Sequence, residues 1–284
     1  MSERPSDIRA APTDTYWKGF EQKWTSLLTY RYLGRRHPTL DAGVDVDTMV
    51  LRHDMRNARG GIMAAPLCIA SPESGGMADD RYVPNPVIAS MQILDDARGV
   101  RQVNIHPETV RIGRSMGFSR SLIVDADDPE RVIALSEGMG VSLGDTPGHY
   151  EKVDNPPIEV VDSPSMPPLH QVFGAKRRSM GVWELPELVA EQASPDAALH
   201  LGPQHIVLES VAAELAAQLT GSNALQIESW HVMFVARGKV GPFRASGQAF
   251  AANGGSAGCR VQLHDEGNGD RVVTSASAIF HRTG

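Results

Sequence analysis

The sequence repeats itself when it is shifted by 140 positions, and this internal repeat limits the folds that the chain can adopt. Residues 120–125, Arg-Ser-Leu-Ile-Val-Asp, align with residues 260–265, Arg-Val-Gln-Leu-His-Asp, and residues 131–133 align with residues 271–273. Each copy has two strand-like runs separated by a polar turn, and a glycine-containing segment precedes the first run. We therefore expect two copies of one supersecondary design.

A helix that begins at a glycine turn precedes the strands of each copy. Residues 202–221 carry apolar side chains at helical spacing, and Gly221 is placed to cap the helix C-terminus. This segment is apolar on more than one face, which predicts a buried helix. In the first copy, Gly60 and Gly61 open a shorter helical segment, and they fall about where Gly202 falls if the alignment slips by one or two positions.

Four strand-like runs follow the helix in each copy, bounded by turns rich in glycine and asparagine. They cover residues 86–94, 100–112, 118–124 and 131–143 in the first copy and residues 225–235, 242–250, 258–264 and 271–280 in the second. The predicted domains are residues 1–145, which include an N-terminal helix within residues 16–33, and residues 181–284. A proline-rich connection over residues 146–180 joins them.

Composition and charge argue against several classes of partner. The formal net charge is -7 and no long basic stripe is present, which is atypical of a nucleic-acid-binding protein. The apolar runs are shorter than the roughly 20 residues that a membrane span requires, so we expect no membrane crossing. Two cysteines and the lack of a signal segment favour a cytoplasmic protein.

The sequence lacks the common signatures of metal and nucleotide sites. It has no His-x-x-x-His or Cys-x-x-Cys spacing and no Gly-x-Gly-x-x-Gly turn after a strand. Gly-x-Ser-x-Gly occurs at residues 113–117 and 254–258, but both segments precede a predicted strand, whereas a nucleophile elbow leads into a helix. We therefore expect neither a metal site nor a cofactor, and no serine hydrolase of the elbow type.

The strands of the second copy end in Asp-x-Gly-x-Gly-x-Arg-Val-Val-x-x-Ala at residues 265–276. With the glycine pair that opens a buried helix, this resembles the PaaI-like (4-hydroxybenzoyl-CoA thioesterase type) hotdog thioesterases over most of residues 45–145 and 200–281. The resemblance implies an α+β double hotdog, in which two antiparallel sheets each wrap around a long central helix and join into one continuous sheet. It also implies hydrolysis of an aromatic, polycyclic or medium-chain acyl-CoA between the hotdogs, and a homodimer of double hotdogs.

The resemblance also implies a site built from both copies. In this family a backbone N–H at the helix start contacts the thioester carbonyl, and a carboxylate from the neighbouring hotdog acts as base or nucleophile. Asn57, Gly60 and Gly61 match the turn, whereas Arg59 stands where the family has histidine. The family's acid would fall eight residues after Gly60, and that position is Cys68.

In the second copy, the same count from Gly202 reaches Ser210, and Glu209 lies one residue earlier. We predict one composite site, in which Gly60 and Gly61 bind the carbonyl and Glu209 is the base or nucleophile. Glu209 also fits a simpler interpretation, as an acid favoured by the helix dipole. The residues expected to contact substrate are Asp54, Arg59, Cys68, Gly202, Ser210 and His205.

Two other functions stay open at this stage. The missing family histidine and the displaced acid fit a noncatalytic protein that binds an acyl thioester or a small apolar ligand. A double hotdog that resembles the enoyl-CoA hydratases is the second alternative. Those enzymes typically carry Asp followed five positions later by His, and no Asp of this chain has His at that distance.

Overall fold

The computed structural model describes residues 5–33, 47–71, 82–147 and 161–283. The helices are α1 (Tyr16–Ser26), α2 (Leu28–Leu33), α3 (Ala64–Ala70), α4 (Leu169–Val172) and α5 (Leu201–Thr220). The strands of the first half are β1 (Asp47–Val50), β2 (Tyr82–Ile93), β3 (Gln102–Ile112), β4 (Met116–Asp125) and β5 (Val132–Asp145). Those that follow are β6 (Lys176–Ser179), β7 (Val182–Leu185), β8 (Leu225–Phe234), β9 (Phe243–Ala251), β10 (Ala257–Asp265) and β11 (Arg271–Arg282).

The strands form one antiparallel 11-stranded sheet in the order β1-β3-β4-β5-β2-β8-β11-β10-β9-β7-β6. Outward from the central β2–β8 pair, one side runs β2, β5, β4, β3, β1 and the other runs β8, β11, β10, β9, β7. The two halves therefore share one strand order, with β6 added at the outer edge of the second half. Strands β2 and β8 pair from Ile88 opposite Met233 to Gln92 opposite Ser229, so the sheet is continuous across the two halves.

A β-bulge at the same place in both halves confirms the repeated hairpin. The pairing of β4 with β5 shifts between Ile123 and Val124, and the pairing of β10 with β11 shifts between Leu263 and His264. These positions are 140 residues apart, as the sequence alignment predicts. A bulge changes strand twist and is a specific feature of a strand pair, so its repetition supports a duplicated unit.

The predicted helix over residues 202–221 is confirmed as α5. Its first turn is capped by His200, whose Nδ1 accepts a hydrogen bond from the Gly202 N–H at 3.3 Å. Gly221 ends the helix in the left-handed conformation at φ 64°, and its N–H donates to the Ala217 carbonyl. The helix packs against strands β7–β11 of the sheet, where residues such as Val207 and Ala212 are fully buried. In the first half, α3 spans seven residues, and residues 72–81 lie outside the described residues.

The helix starts of the two copies align differently from the sequence prediction. Arg56 forms an isolated bridge with Ile62 ahead of α3, and Ala193 forms the same bridge with Leu199 ahead of α5. Inside these turns, Gly60 and Ala197 both have positive φ, 81° and 54°. The helix starts are thus related by a shift of 137 positions, so the alignment of the Gly60-Gly61 turn with Gly202 was wrong.

This register changes the equivalences around the helices. Cys68 corresponds to His205, and the counterpart of Glu209 is position 72, outside the described residues. The hairpins of the two copies are 140 positions apart, whereas the helix starts are 137 positions apart. The segment between the helix start and the hairpin therefore differs in length by three residues between the copies. A repeat found in the hairpins therefore cannot be extended unchanged to the helix start.

The N-terminal segment packs over the start of α5. The predicted helix over residues 16–33 is present but breaks at Leu27 into α1 and α2. The Trp24 ring contacts the His200 ring edge-on at 5.5 Å, and a Cβ on Gly202 would lie 2.4 Å from the Thr29 hydroxyl. The start of α5 is therefore covered by the N-terminal helices α1 and α2. Among the described helices, none is long and apolar enough to span a membrane.

Candidate active site between the two halves

The carboxylate of Glu209 joins the two halves of the protein. Glu209 lies in the middle of α5 and is 3% exposed. Its Oε1 accepts a hydrogen bond from the Ala64 N–H at 2.9 Å, and its Oε2 accepts one from the Ala65 N–H at 2.6 Å. These are the first two N–H groups of α3, and Pro66 follows with no N–H to satisfy. A side chain of the second half therefore caps a helix of the first half.

Burial dominates the electrostatics of this carboxylate. Loss of solvation raises the pKa of Glu209 from its ordinary 4.5 to about 7, because burial disfavours the charged form. The hydrogen bonds from Ala65 and Ala64, and the nearby His205, act in the opposite direction and lower the pKa. A carboxyl group with a pKa near 7 can both accept and donate a proton at neutral pH, which is what general acid–base chemistry requires.

Glu209 lines a cavity of about 320 Å³ at the boundary between the halves. The first half contributes Asn57, Ile62 and Met63, and α5 contributes Ser210 and Ala213 beside Glu209. The rest of the wall is largely apolar and includes Trp183, Leu225, Ile227 and Phe280. A buried ionisable carboxyl group such as that of Glu209 in a largely apolar pocket is typical of a ligand or active site.

The Asn57–Gly61 turn borders the same cavity, but its glycine N–H groups are occupied. The Gly60 N–H donates to the Asn57 carbonyl at 2.9 Å, and the Gly61 N–H donates to Asn57 Oδ1 at 3.0 Å. Asn57 Nδ2 donates to Gln226 Oε1 at 2.8 Å, which ties the turn to β8. A Cβ on Gly61 would lie 2.0 Å from Gln226 Oε1, so glycine is needed for this close approach. In this structure the turn positions Asn57 rather than presenting free N–H donors.

The other predicted contacts of substrate are dispersed. Ser210 lines the cavity, and its hydroxyl donates to the Ile206 carbonyl at 2.8 Å. Arg59 is exposed, next to the cavity residue Ala58. Asp54 lies away from the cavity, in a buried ion pair with Arg52.

Three more predicted residues lie outside the cavity wall. Cys68 is buried on α3 and borders a small separate cleft. His205 is fully buried, and its Nδ1 accepts a hydrogen bond from the Trp230 indole at 3.0 Å. Gly202 lies at the covered start of α5. The structure thus brings together Glu209, Asn57 and Ser210 in the cavity wall, whereas Gly60, Gly61 and Arg59 belong to the same turn as Asn57 but do not line the cavity.

Sequence reasoning missed two ionisable residues of the cavity wall, His170 and Glu214. His170 lies on α4, within the connection predicted over residues 146–180, and its ring meets the Trp183 ring edge-on at 4.8 Å. Burial lowers the pKa of His170, so its ring is neutral at neutral pH. Glu214 accepts hydrogen bonds from the Trp183 indole at 3.1 Å and the Gly181 N–H at 2.8 Å, and pairs with Arg177. A lone histidine in a proline-rich connection gives no sequence signal for such a place.

Within the described residues, no cluster of three or more His, Cys, Asp or Glu side chains is placed to hold a metal ion. The residues that line the cavity supply the carboxyl groups of Glu209 and Glu214, the imidazole of His170 and the amide groups of Asn57 and Asn223. Such a set can accept and donate protons beside an apolar ligand.

Comparison with known proteins places the fold. No protein-family model matches the sequence, and no curated protein matches it. A tesB protein from Mycobacterium avium subsp. paratuberculosis has 13% identity and a TM-score of 0.59, covering 94% of this chain and 100% of its own. A hot dog fold protein of unknown function from Alicyclobacillus acidocaldarius has 12% identity and a TM-score of 0.59, covering 87% and 97%.

An acyl-CoA thioesterase II, TesB2, from Mycobacterium marinum has 12% identity and a TM-score of 0.53, covering 87% of this chain and 95% of its own. Identities this low establish similarity of fold and leave the activity to be argued from the site. The chain therefore has the hotdog fold over most of its length.

Proposed function

We propose that the protein is an acyl-CoA thioesterase of double-hotdog architecture, with one catalytic site between its two halves. The observation that carries this proposal is Glu209, a buried carboxyl group of one half that borders an apolar cavity and caps a helix of the other half. The name of the Mycobacterium marinum structure with this fold, an acyl-CoA thioesterase II, supports the reaction class. The proposed hotdogs are residues 1–145 and 181–284, joined by residues 146–180.

In the proposed reaction, Glu209 is the general base. Its carboxylate takes a proton from a water molecule whose oxygen attacks the thioester carbonyl carbon. The C–S bond then breaks, and the protonated Glu209 returns its proton to the departing thiolate. The pKa near 7 suits both steps, because neither protonation state is strongly favoured at neutral pH. Direct attack by the carboxylate is the alternative role, and would form an anhydride intermediate that water then hydrolyses.

The cavity favours a compact acyl group. Its volume of about 320 Å³ lies at the low end of the roughly 300–1,000 Å³ typical of ligand pockets. The apolar wall formed by Leu225, Ile227 and Phe280 fits a hydrocarbon or a single aromatic ring. We therefore propose a medium-chain or monoaromatic acyl group rather than a polycyclic one. Assignment to the PaaI-like group in particular stays a prediction from the Gly60-Gly61 turn and the sequence pattern of residues 265–276.

A noncatalytic ligand-binding protein is the second candidate, and the hydrogen bonds of the turn favour it. Both glycine N–H groups are bonded within the turn, and both oxygens of Glu209 accept backbone hydrogen bonds. Polar groups whose hydrogen bonds are already made within the protein suit a noncatalytic binding pocket as well as a catalytic site. Release of free thiol from acyl-CoA substrates separates the two candidates.

We expect kcat/KM to rise with pH through a midpoint near 7, because Glu209 must be deprotonated to accept a proton from water. The free energy of unfolding should instead fall as the pH rises. The native state binds this proton more tightly than the unfolded state, so the stability contribution is full below about pH 4.5 and is lost as the pH rises through about 7. A pH–rate profile of the wild type and of Glu209→Gln tests this, since the midpoint near 7 should be missing in the variant. An unchanged midpoint in the variant would assign it to another group.

We expect Arg59→Glu to raise KM for acyl-CoA by about tenfold, the equivalent of roughly 1.4 kcal/mol of binding. The Arg59 side chain is exposed, follows the cavity residue Ala58 in the chain and forms no ion pair within the described residues, so we propose that it contacts the phosphates of coenzyme A. N-acetylcysteamine thioesters lack phosphates, and their KM should not change. Arg101→Glu, at a side chain 84% exposed on another part of the surface, is the matched control. Equal effects on both substrate types would contradict the phosphate contact.

A further inference from the structure

The cavity that Glu209 lines is also lined by His170, to which the proposed reaction gives no role. Within the described residues, neither nitrogen of the His170 ring has a hydrogen-bond partner. Burial lowers the pKa of His170, so the ring is neutral and offers one N–H donor and one acceptor nitrogen. A half-buried ring with both of these unused is available to a polar group of the ligand.

The surroundings of α4 hold the His170 ring in place. Leu169 and Phe173, which lie on either side of it in the chain, are 1% and 0% exposed and anchor α4 in the core. The ring meets the Trp183 ring edge-on, and the Trp183 indole in turn donates a hydrogen bond to Glu214. A ring that is already held in place loses little conformational freedom when it binds a ligand, so its hydrogen bond can contribute to selectivity.

The cavity has a buried end and an open end. Glu209 and Ile227 are 3% and 2% exposed and lie at the buried end. Further along α5, the wall residues Glu214 and Ala217 are half-buried, and Asn223, just beyond the helix, is exposed. A thioester whose carbonyl lies beside Glu209 therefore has its acyl group at the buried apolar end, and its thiol arm leaves through the open end.

His170 lies toward the open end, at the level of Glu214. Glu214 follows Glu209 by five residues, which corresponds to about 7.5 Å along the helix axis. In coenzyme A, the amide group nearest the sulfur is joined to the thioester carbonyl only through the sulfur and a short ethylene link, a comparable length. Both oxygens of Glu214 already accept hydrogen bonds, from Arg177, Trp183 and Gly181. The imidazole ring is therefore better placed than Glu214 to bond this amide.

We propose that His170 is a specificity-determining residue that hydrogen-bonds the amide nearest the sulfur in the thiol arm of the substrate. Its N–H can donate to the amide carbonyl, or its other nitrogen can accept from the amide N–H. A neutral amide suits this place because a charged group would be costly against the largely apolar wall. The inference rests on the proposed function, since the thioester carbonyl must lie at Glu209 for the arm to reach His170.

Thioesters of one medium-chain acyl group with different thiols test this contact. Coenzyme A and N-acetylcysteamine both carry the amide, whereas ethanethiol does not. His170→Phe keeps an aromatic ring against Trp183 but removes the hydrogen bond. KM should therefore rise about tenfold for the first two thioesters and stay unchanged for the S-ethyl thioester, with kcat nearly constant. His170→Gln, whose amide can donate and accept, should recover most of the loss.

His106→Phe, at an exposed histidine of β3, is the matched control and should leave every KM unchanged. An equal rise of KM for all the thioesters, the S-ethyl thioester included, would overturn the contact, since a packing defect does not depend on the thiol. A rise for acyl-CoA alone would also overturn it, because the contact would then lie beyond this amide.

Binding measurements separate this inference from the proposed hydrolysis. The dissociation constant of a nonhydrolysable thioether analogue of acyl-CoA is measured by titration calorimetry for the wild type and for His170→Phe. A wild type that binds the analogue without hydrolysing acyl-CoA, with binding about tenfold weaker in the variant, would exclude the thioesterase but support the contact. Equal dissociation constants in the two proteins would overturn the contact, whatever the turnover.

Discussion

Glu209→Gln is expected to lower kcat for acyl-CoA hydrolysis by at least about a hundredfold, within the roughly 10²–10⁴-fold that general base catalysis contributes. The amide cannot take a proton from water, although its size is close to that of the carboxyl group. The measurement is release of free thiol under saturating substrate. Glu228→Gln, an exposed glutamate on β8, is the matched control and should keep wild-type turnover.

A folding defect must be separated from the loss of the base. The amide nitrogen of Glu209→Gln cannot accept from Ala64 or Ala65, so one N–H at the start of α3 loses its acceptor, at a cost of about 1–3 kcal/mol. Binding of a nonhydrolysable thioether analogue of the substrate should therefore be measured beside turnover. Retained binding with lost turnover supports the catalytic role, whereas unchanged turnover would contradict it.

Arg52→Met is expected to lower the free energy of unfolding by about 3–5 kcal/mol, because it leaves the buried carboxylate of Asp54 without its partner. Arg52 Nε lies 3.1 Å from Asp54 Oδ1, and the two side chains are 4% and 0% exposed. The Arg52 guanidinium also lies over the Tyr32 ring, 4.8 Å from its centre. Urea unfolding measures the effect.

The double variant Arg52→Met, Asp54→Leu is the matched control, because it removes both charges and should recover most of the lost stability. A single variant within about 0.5 kcal/mol of wild type would contradict the role of the ion pair. Asp54 was predicted from sequence to contact substrate, but the structure places it away from the cavity. The variants should therefore change stability while kcat per folded molecule stays near that of the wild type.

Much of the fold could be predicted from the sequence because the repeat falls in the hairpins. Strand pairs require a fixed register, so residues 120–125 and 260–265 kept both their pattern and their bulge. The apolar run of α5 and its cap at Gly221 likewise predicted one buried helix. These features are local or nearly local, and a single sequence carries enough information to find them.

The helix starts could not be aligned from sequence alone. The positive-φ position of the turn before the helix is a glycine in the first copy, Gly60, but an alanine in the second copy, Ala197. Because alanine gives no signal for such a turn, the sequence alignment matched Gly60 with the nearby Gly202 instead. Glu209 was found because the resemblance implies an acid from the neighbouring hotdog. His170 and Glu214 were missed because their approach to the cavity depends on how the connection packs on α5, which no local pattern shows.

The most direct test of the central claim is release of free thiol by the wild-type protein from a panel of short, medium-chain, monoaromatic and polycyclic acyl-CoA substrates. The proposed site between the halves predicts hydrolysis, fastest for medium-chain or monoaromatic groups that fit the cavity of about 320 Å³. Absence of turnover across the whole panel, together with saturable binding of the same compounds, would contradict the claim and identify the protein as a noncatalytic acyl-thioester-binding hotdog.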